Sequence, residues 1–136
     1  MQLTREADYA VRVIVDLADH GGTAPLRSAD VARRQMVPKP FLRKVVQALA
    51  RHGYIKTMRG LGGGIALARD PAGITLRAIV EAIEGPIALN RCVVRRGACP
   101  LDRRCAVHPV WRRIQDLVVG ELERTTIASL RHERTA

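Results

Sequence analysis

The sequence predicts a mainly α-helical fold that carries one small β-hairpin. Three observations lead there. Apolar residues recur at three- and four-residue steps in four separate stretches, and two short β-prone runs flank a glycine-rich segment. The hydrophobic fraction of 47% over 136 residues is enough for one core and argues against disorder. Aromatic residues make up only 3%, so that core is aliphatic.

Ala10, Val11, Ile14, Leu17 and Ala18 place a first amphipathic helix over 4–19, which "HGGTAPL" at 20–26 ends. Ser28 is a suitable N-cap for a short helix, "ADVARRQ", with Asp30 well placed for the helix dipole. After "MVPKP", Pro40 suits a first helical position, and Leu42, Val45, Val46 and Leu49 form a buried stripe that ends at Gly53. The opposite face of that helix carries Lys39, Arg43, Lys44, Gln47 and Arg51. "YIKTM" and "GIALAR" read as two strands. Thr75 caps a further helix, "LRAIVEAIEG", closed by Gly85 and Pro86. Residues 87–108 read as a loop. From Pro109 a helical pattern runs to about residue 130, with a stripe too long and apolar for a lone surface helix, so it is expected to pack on a second copy of the chain. The tail "RHERTA" is expected to fray.

Lys and Arg outnumber Asp and Glu by 23 to 13, a net charge of +10 that points to a polyanionic partner. The scarcity of aromatics argues against single-strand binding by base stacking. No stretch approaches the ~20 apolar residues of a membrane span, and "MQLTREADY" is too polar for a signal peptide, so a cytoplasmic protein with no membrane partner is expected. Within "RGLGGGIALAR" (59–69), four glycines fall in five positions. A Walker loop would need a following lysine, and a dinucleotide fingerprint would need a helix after the glycines and a glycine where Ile65 stands. Both nucleotide readings fail. The glycines instead supply a hairpin turn.

Helix, short helix, basic helix and hairpin in that order make a winged helix-turn-helix, followed here by a long C-terminal helix. The second helix of the turn would enter the major groove of double-stranded DNA with Ser28, Lys39, Pro40, Arg43, Lys44 and Gln47 near it. Arg59, at the start of the hairpin turn, would enter a narrow minor groove. Leu42, Val45, Val46 and Leu49 are core.

The cysteine count is three, clustered as Cys92-x6-Cys99-x5-Cys105-x2-His108. An odd number in a reducing compartment argues against a disulfide framework and for a metal.

With "LTREADYAVR" at 3–12, "RGLGGGIALAR" and the three cysteines, the chain resembles the Rrf2 family of bacterial transcription regulators from residue 2 to about 130. The resemblance implies a dimeric winged-helix protein in which the long C-terminal helices cross, with an iron–sulfur cluster in the cysteine loop setting affinity for operator DNA. Three thiolates suit such a cluster, [2Fe–2S] or [4Fe–4S], and Arg91, Arg95, Arg96, Arg103 and Arg104 would offset its negative charge. The resemblance offers two fourth ligands. His108 matches the Cys-x2-His of the branch controlling iron–sulfur assembly, and Asp8 stands where the nitric-oxide-sensing branch has an aspartate that reaches the other subunit's cluster. The six-residue gap between Cys92 and Cys99 fits neither branch.

The expected function is therefore a DNA-binding regulator, a repressor, that senses nitric oxide, oxygen or iron–sulfur status, and not an enzyme. It divides into a winged helix-turn-helix domain (1–86), a cluster-binding loop (87–108) and a dimerisation helix with tail (109–136). Two alternatives share the same residues. One is a cluster-free thiol redox regulator; the other is a zinc-stabilised protein-interaction module, whose metal site would be the three cysteines and His108.

Overall fold

The first helix is the axis of the fold. In the computed structural model, which describes residues 2–21 and 24–133, α1 spans Arg5–His20. Gly22 and Thr23, inside the predicted break at 20–26, lie outside the described residues, as do residues 134–136 of the tail. Thr4 caps α1, its hydroxyl oxygen accepting from the Ala7 amide at 3.1 Å. Ala7, Ala10, Val13, Ile14, Leu17 and Ala18 are buried along one side.

Against α1 lie α2 (Ser28–Gln35) and α3 (Lys39–Arg51), the two helices of the turn motif. Ser28 is the first helical residue and not the cap predicted for it; Arg27 occupies the cap position without a side-chain bond. The cause lies upstream. Leu26 exchanges two backbone hydrogen bonds of 2.8 Å with Ile65, which holds the chain extended through Arg27 and delays the helix by one residue. Similarly, Lys39 takes the first position of α3 and Pro40 the second, where a missing N–H is equally harmless. Between the helices Met36 adopts a left-handed conformation (φ 53°), and the Val37 amide reaches back to Ala32 O at 2.9 Å.

The hairpin pairs β1 (Ile55–Met58) with β2 (Gly64–Leu67), Ile55 opposite Leu67 and Met58 opposite Gly64. Leu26 bridges the other edge of β2, so three of its residues are buried while β1 shows three exposed positions. A Cβ on Gly64 would collide with the Leu26 carbonyl, so this close approach requires glycine. Gly60 and Gly62 take φ of 91° and 78° in the turn.

After a 3₁₀ turn at Pro71–Gly73, Thr75 caps α4 (Leu76–Glu84), accepting from the Ala78 amide at 3.0 Å, and Gly85 ends it at φ 82°. The predicted loop over 87–108 contains a four-residue helix, α5 (Arg91–Val94), and its last residue opens α6 (His108–Arg124).

The long C-terminal helix is not continuous to residue 130. It stops at Arg124, and a separate α7 (Ile127–Glu133) follows, so residues 131–133 of the predicted frayed tail are helical. Thr125 is extended (φ −90°, ψ 112°); its carbonyl accepts from Leu76 N and Ile127 N donates to Ile74 O, each at 2.9 Å. Two β-branched threonines favour this local bridge over helix, and burial of Ile127, 0% exposed beside α1, rewards the break. α6 itself has no buried residue, and its Leu117 is 69% exposed. No helix among the described residues is long and apolar enough to cross a membrane.

Candidate functional site

One buried charge fixes the turn motif against the first helix. Asp16 of α1 is fully buried and takes a two-pronged contact from Arg34 (Nε to Oδ1 3.0 Å, Nη2 to Oδ2 2.7 Å), with Gln35 Nε2 donating to Oδ1 at 2.9 Å. Burial would raise its carboxyl, but the hydrogen bonds of Arg34 and Gln35 and the charges of Arg34 and His20 together hold it below the ordinary value. Arg34 is raised in return, chiefly by its hydrogen bond to Asp16. The last turn of α2 is thereby locked to α1.

From this frame Ser28, Ala29 and Ala32 of α2 face Lys39, Leu42, Arg43, Val46 and Gln47 of α3 across a groove of about 400 Å³. Of the expected core stripe, Leu42, Val45 and Leu49 are buried, while Val46 is half-buried at the groove. Ser28 is half-buried, whereas Lys39, Pro40, Arg43, Lys44, Gln47 and Arg59 are exposed. Among the described residues Lys39, Arg43 and Arg59 carry no ion pair, so their charges are uncommitted. Lys44 differs: it lies 3.8 Å from Glu6, toward α1 and away from the groove.

A second centre lies in the segment between α4 and α6. Gln115 of α6 fixes its entry, accepting from Leu89 N at 2.7 Å and donating to Ile87 O at 2.6 Å. Beyond it Cys92, Cys99, Asp102 and His108 line a cavity of about 780 Å³, together with Arg95, Arg96, Arg103 and Arg112. A Cys92 Sγ, an Asp102 carboxylate oxygen and a His108 ring nitrogen lie within 4.8 Å of one another. Asp102 Oδ1 and His108 Nδ1 are buried there without hydrogen-bond partners, while Asp102 Oδ2 accepts from Gly97 N at 2.9 Å. The Cys92 thiol donates to Asn90 Oδ1 at 3.0 Å.

The predicted ligands are thus only partly assembled. Cys92, Cys99 and His108 share the cavity; Cys105, half-buried, is not among its lining residues. Asp8 sits exposed on α1, paired with Arg12 at 2.8 Å, and belongs to no donor group among the described residues. Asp102 went unnoticed in the sequence, though Cys99, Asp102, Cys105 and His108 follow one another at a strict spacing of three. Turns closed by Asp102 N to Cys99 O (3.2 Å) and His108 N to Cys105 O (3.3 Å) realise that spacing. Soft sulfur, imidazole and carboxylate donors ringed by arginines suit a transition metal or a metal–sulfur group, since unsatisfied buried polar atoms are otherwise costly.

The family model described as Rrf2, "Iron-dependent Transcriptional regulator", matches residues 3–133. The HTH-type transcriptional regulator IscR of Serratia proteamaculans is 32% identical over 130 residues, covering 96% of this chain and 79% of that protein. Among solved structures, CymR, the global cysteine regulator of B. subtilis, superposes with a TM-score of 0.81 at 27% identity, covering 98% of each chain. T. potens IscR superposes with a TM-score of 0.80 at 25% identity, covering 98% of this chain and 88% of that one.

Proposed function

The chain belongs to the Rrf2 family of DNA-binding transcriptional regulators, proteins that are not enzymes, and from that premise we propose that it is a cytoplasmic, homodimeric repressor controlled by an iron–sulfur cluster. The observation that carries this reading is the cavity in which Cys92, Cys99 and His108 meet among arginines, with buried polar atoms of His108 and Asp102 that lack partners. Cys92, Cys99 and Cys105 would hold the cluster, [2Fe–2S] or [4Fe–4S], with His108 or the partner subunit's Asp8 as fourth ligand. When bound, the cluster supplies a centre that reacts with oxidants and nitric oxide. Recruiting Cys105 requires the turn before α6, closed by the long His108–Cys105 bond, to rearrange. Releasing Asp8 from the exposed Arg12 pair costs at most about 1 kcal/mol.

On the DNA side, Lys39, Arg43 and Gln47 with Ser28 and Pro40 would meet the major groove, and Arg59 the minor groove. Lys44, drawn toward Glu6, would meet backbone phosphate instead. The apolar stripe of α6, with Leu117 exposed, would bury itself against a second copy. The functional division is then 1–86 for DNA, 87–108 for the cluster and 109–136 for the dimer. Signal would pass from the cavity to α6 through Gln115, and on to α4 through Arg77, which lies 3.2 Å from Glu81 and 3.8 Å from Glu123.

Anaerobically purified protein should be brown, with visible absorption that Cys92→Ser, Cys99→Ser or Cys105→Ser abolishes and with operator mobility shifts that differ between loaded and cluster-free forms. Colourless protein that resists reconstitution would sink the reading. Asp8→Ala and His108→Ala identify the fourth ligand by which one alters the spectrum.

The likeness to CymR supports a second reading, a cluster-free thiol regulator, since all three cysteines are free and half-buried. In that case colourless protein would lose operator binding on peroxide treatment and regain it with a thiol reductant.

A further inference from the structure

Asp102 belongs to no predicted ligand set, yet it is better placed than Cys105. We propose that the cluster-free protein holds a single borderline divalent ion of the zinc class through Cys92, Asp102 and His108, a donor set that needs neither Cys99 nor Cys105. The inference does not depend on the cluster reading, although the two would share Cys92 and His108.

The three donors are already close together. Their ligand atoms lie within 4.8 Å of one another. In tetrahedral zinc sites, bonds of roughly 2.0–2.3 Å put neighbouring ligands about 3.4 Å apart. Closing the site asks the ligand atoms to draw together by no more than about 1.4 Å. The donors come from α5, the turn after Cys99 and the start of α6, so the ion would pin three consecutive pieces of the segment together.

The hydrogen bonding around the donors points the same way. One carboxylate oxygen of Asp102 is occupied by the Gly97 amide at 2.9 Å, while the other is buried with no partner. That is the arrangement of a monodentate ligand oriented by a backbone donor. His108 Nδ1 is likewise buried and without a partner. Among the described residues these are the two buried side-chain polar atoms left unsatisfied, and both belong to this one group. A cation bound through Asp102 Oδ1 and His108 Nδ1 would satisfy both at once.

The chemistry of the set selects the ion. One sulfur, one nitrogen and one oxygen suit a borderline ion better than magnesium or calcium, which want oxygen alone. Binding breaks the Cys92 S–H bond, forms an S–metal bond and releases the proton to solvent, so the thiolate and the Asp102 carboxylate balance the two charges of the ion. Surrounding arginines oppose an unneutralised cation, which makes both anionic donors necessary. Three protein ligands leave a fourth position for water.

The test is a Co²⁺ titration of the full-length protein, freed of cluster and metal under anaerobic conditions and reduced, with Zn²⁺ as competitor. Wild type should bind one equivalent, with visible d–d bands and ultraviolet sulfur-to-cobalt charge transfer that Zn²⁺ removes. Cys92→Ser should abolish the charge-transfer band. Asp102→Asn and His108→Ala should each weaken Co²⁺ by at least about tenfold. Cys105→Ser should bind as wild type, with circular dichroism confirming that all variants are folded. The proposal fails if wild type binds no Co²⁺, or if Asp102→Asn binds normally while Cys105→Ser does not. The same Cys105→Ser protein separates the two readings: it should keep cobalt and fail to assemble a cluster, whereas failure of the cluster alone leaves the wild-type titration unchanged.

Discussion

Asp16 and Arg34 join the first helix to the end of the second through a two-pronged ion pair whose carboxylate is fully buried. Their burial is unequal: the Arg34 side chain keeps 32% exposure. Losing the arginine strands a charge in the interior, whereas losing the aspartate leaves a cation that can turn to water.

Arg34→Ala should therefore destabilise the protein by about 2–4 kcal/mol in urea unfolding at neutral pH, Gln35 and His20 softening the loss. Because the folded Asp16 carboxyl lies below its unfolded value, its contribution is present above about pH 4 and disappears as pH falls through the lower folded value. The stability gap between wild type and Asp16→Asn should thus narrow between neutral pH and pH 3. A gap that stays constant over that range would show that the charge contributes nothing.

Met36 holds a left-handed conformation between α2 and α3 and is 82% exposed, so its side chain contributes little packing to offset the strain. Met36→Gly should stabilise the fold by about 0.5–1 kcal/mol, read as a higher thermal midpoint. A drop would mean that the turn depends on the side chain.

Arg59→Ala should weaken operator binding by roughly 1–3 kcal/mol and relax sequence preference if the residue reads the minor groove. Lys44→Ala, if it removes a phosphate contact, should instead weaken binding on all sequences and lower the salt slope by about one. Equal salt slopes for wild type and Lys44→Ala would remove it from the phosphate contacts.

Leu117→Glu places a charge on the exposed stripe of α6 without disturbing the buried core. It should leave the circular dichroism of the chain unchanged while shifting sedimentation from dimer to monomer. An undisturbed dimer would move the interface elsewhere.

The helices and the hairpin were legible because their signals are local. The Thr75 cap, glycines that end helices, β-prone runs on either side of a glycine turn and the stripe Leu42–Val45–Leu49 act within one turn or one pair of strands. What escaped depends on distant partners. The start of α2 is set by the Leu26–Ile65 bridge, and the break at Thr125 by Ile74, Thr75 and Leu76, more than forty residues away in sequence. In the cysteine segment the donors were visible by type, but which of them converge is decided by turns that carry little apolar signal. Cys105 was expected inside and lies outside the cavity lining, whereas Asp102 was passed over and lies within it.

The Thr125–Thr126 break has a consequence for how the molecule can be taken apart. Ile127, delivered by it, sits with Ile74 and Leu17 in the same buried core as the turn motif and the hairpin. A fragment ending at residue 86 would carry every residue of the turn motif and the hairpin and still lack a wall of its own interior. The last helix is a keystone for the first, and the order of segments along the chain is not the order in which they can stand alone.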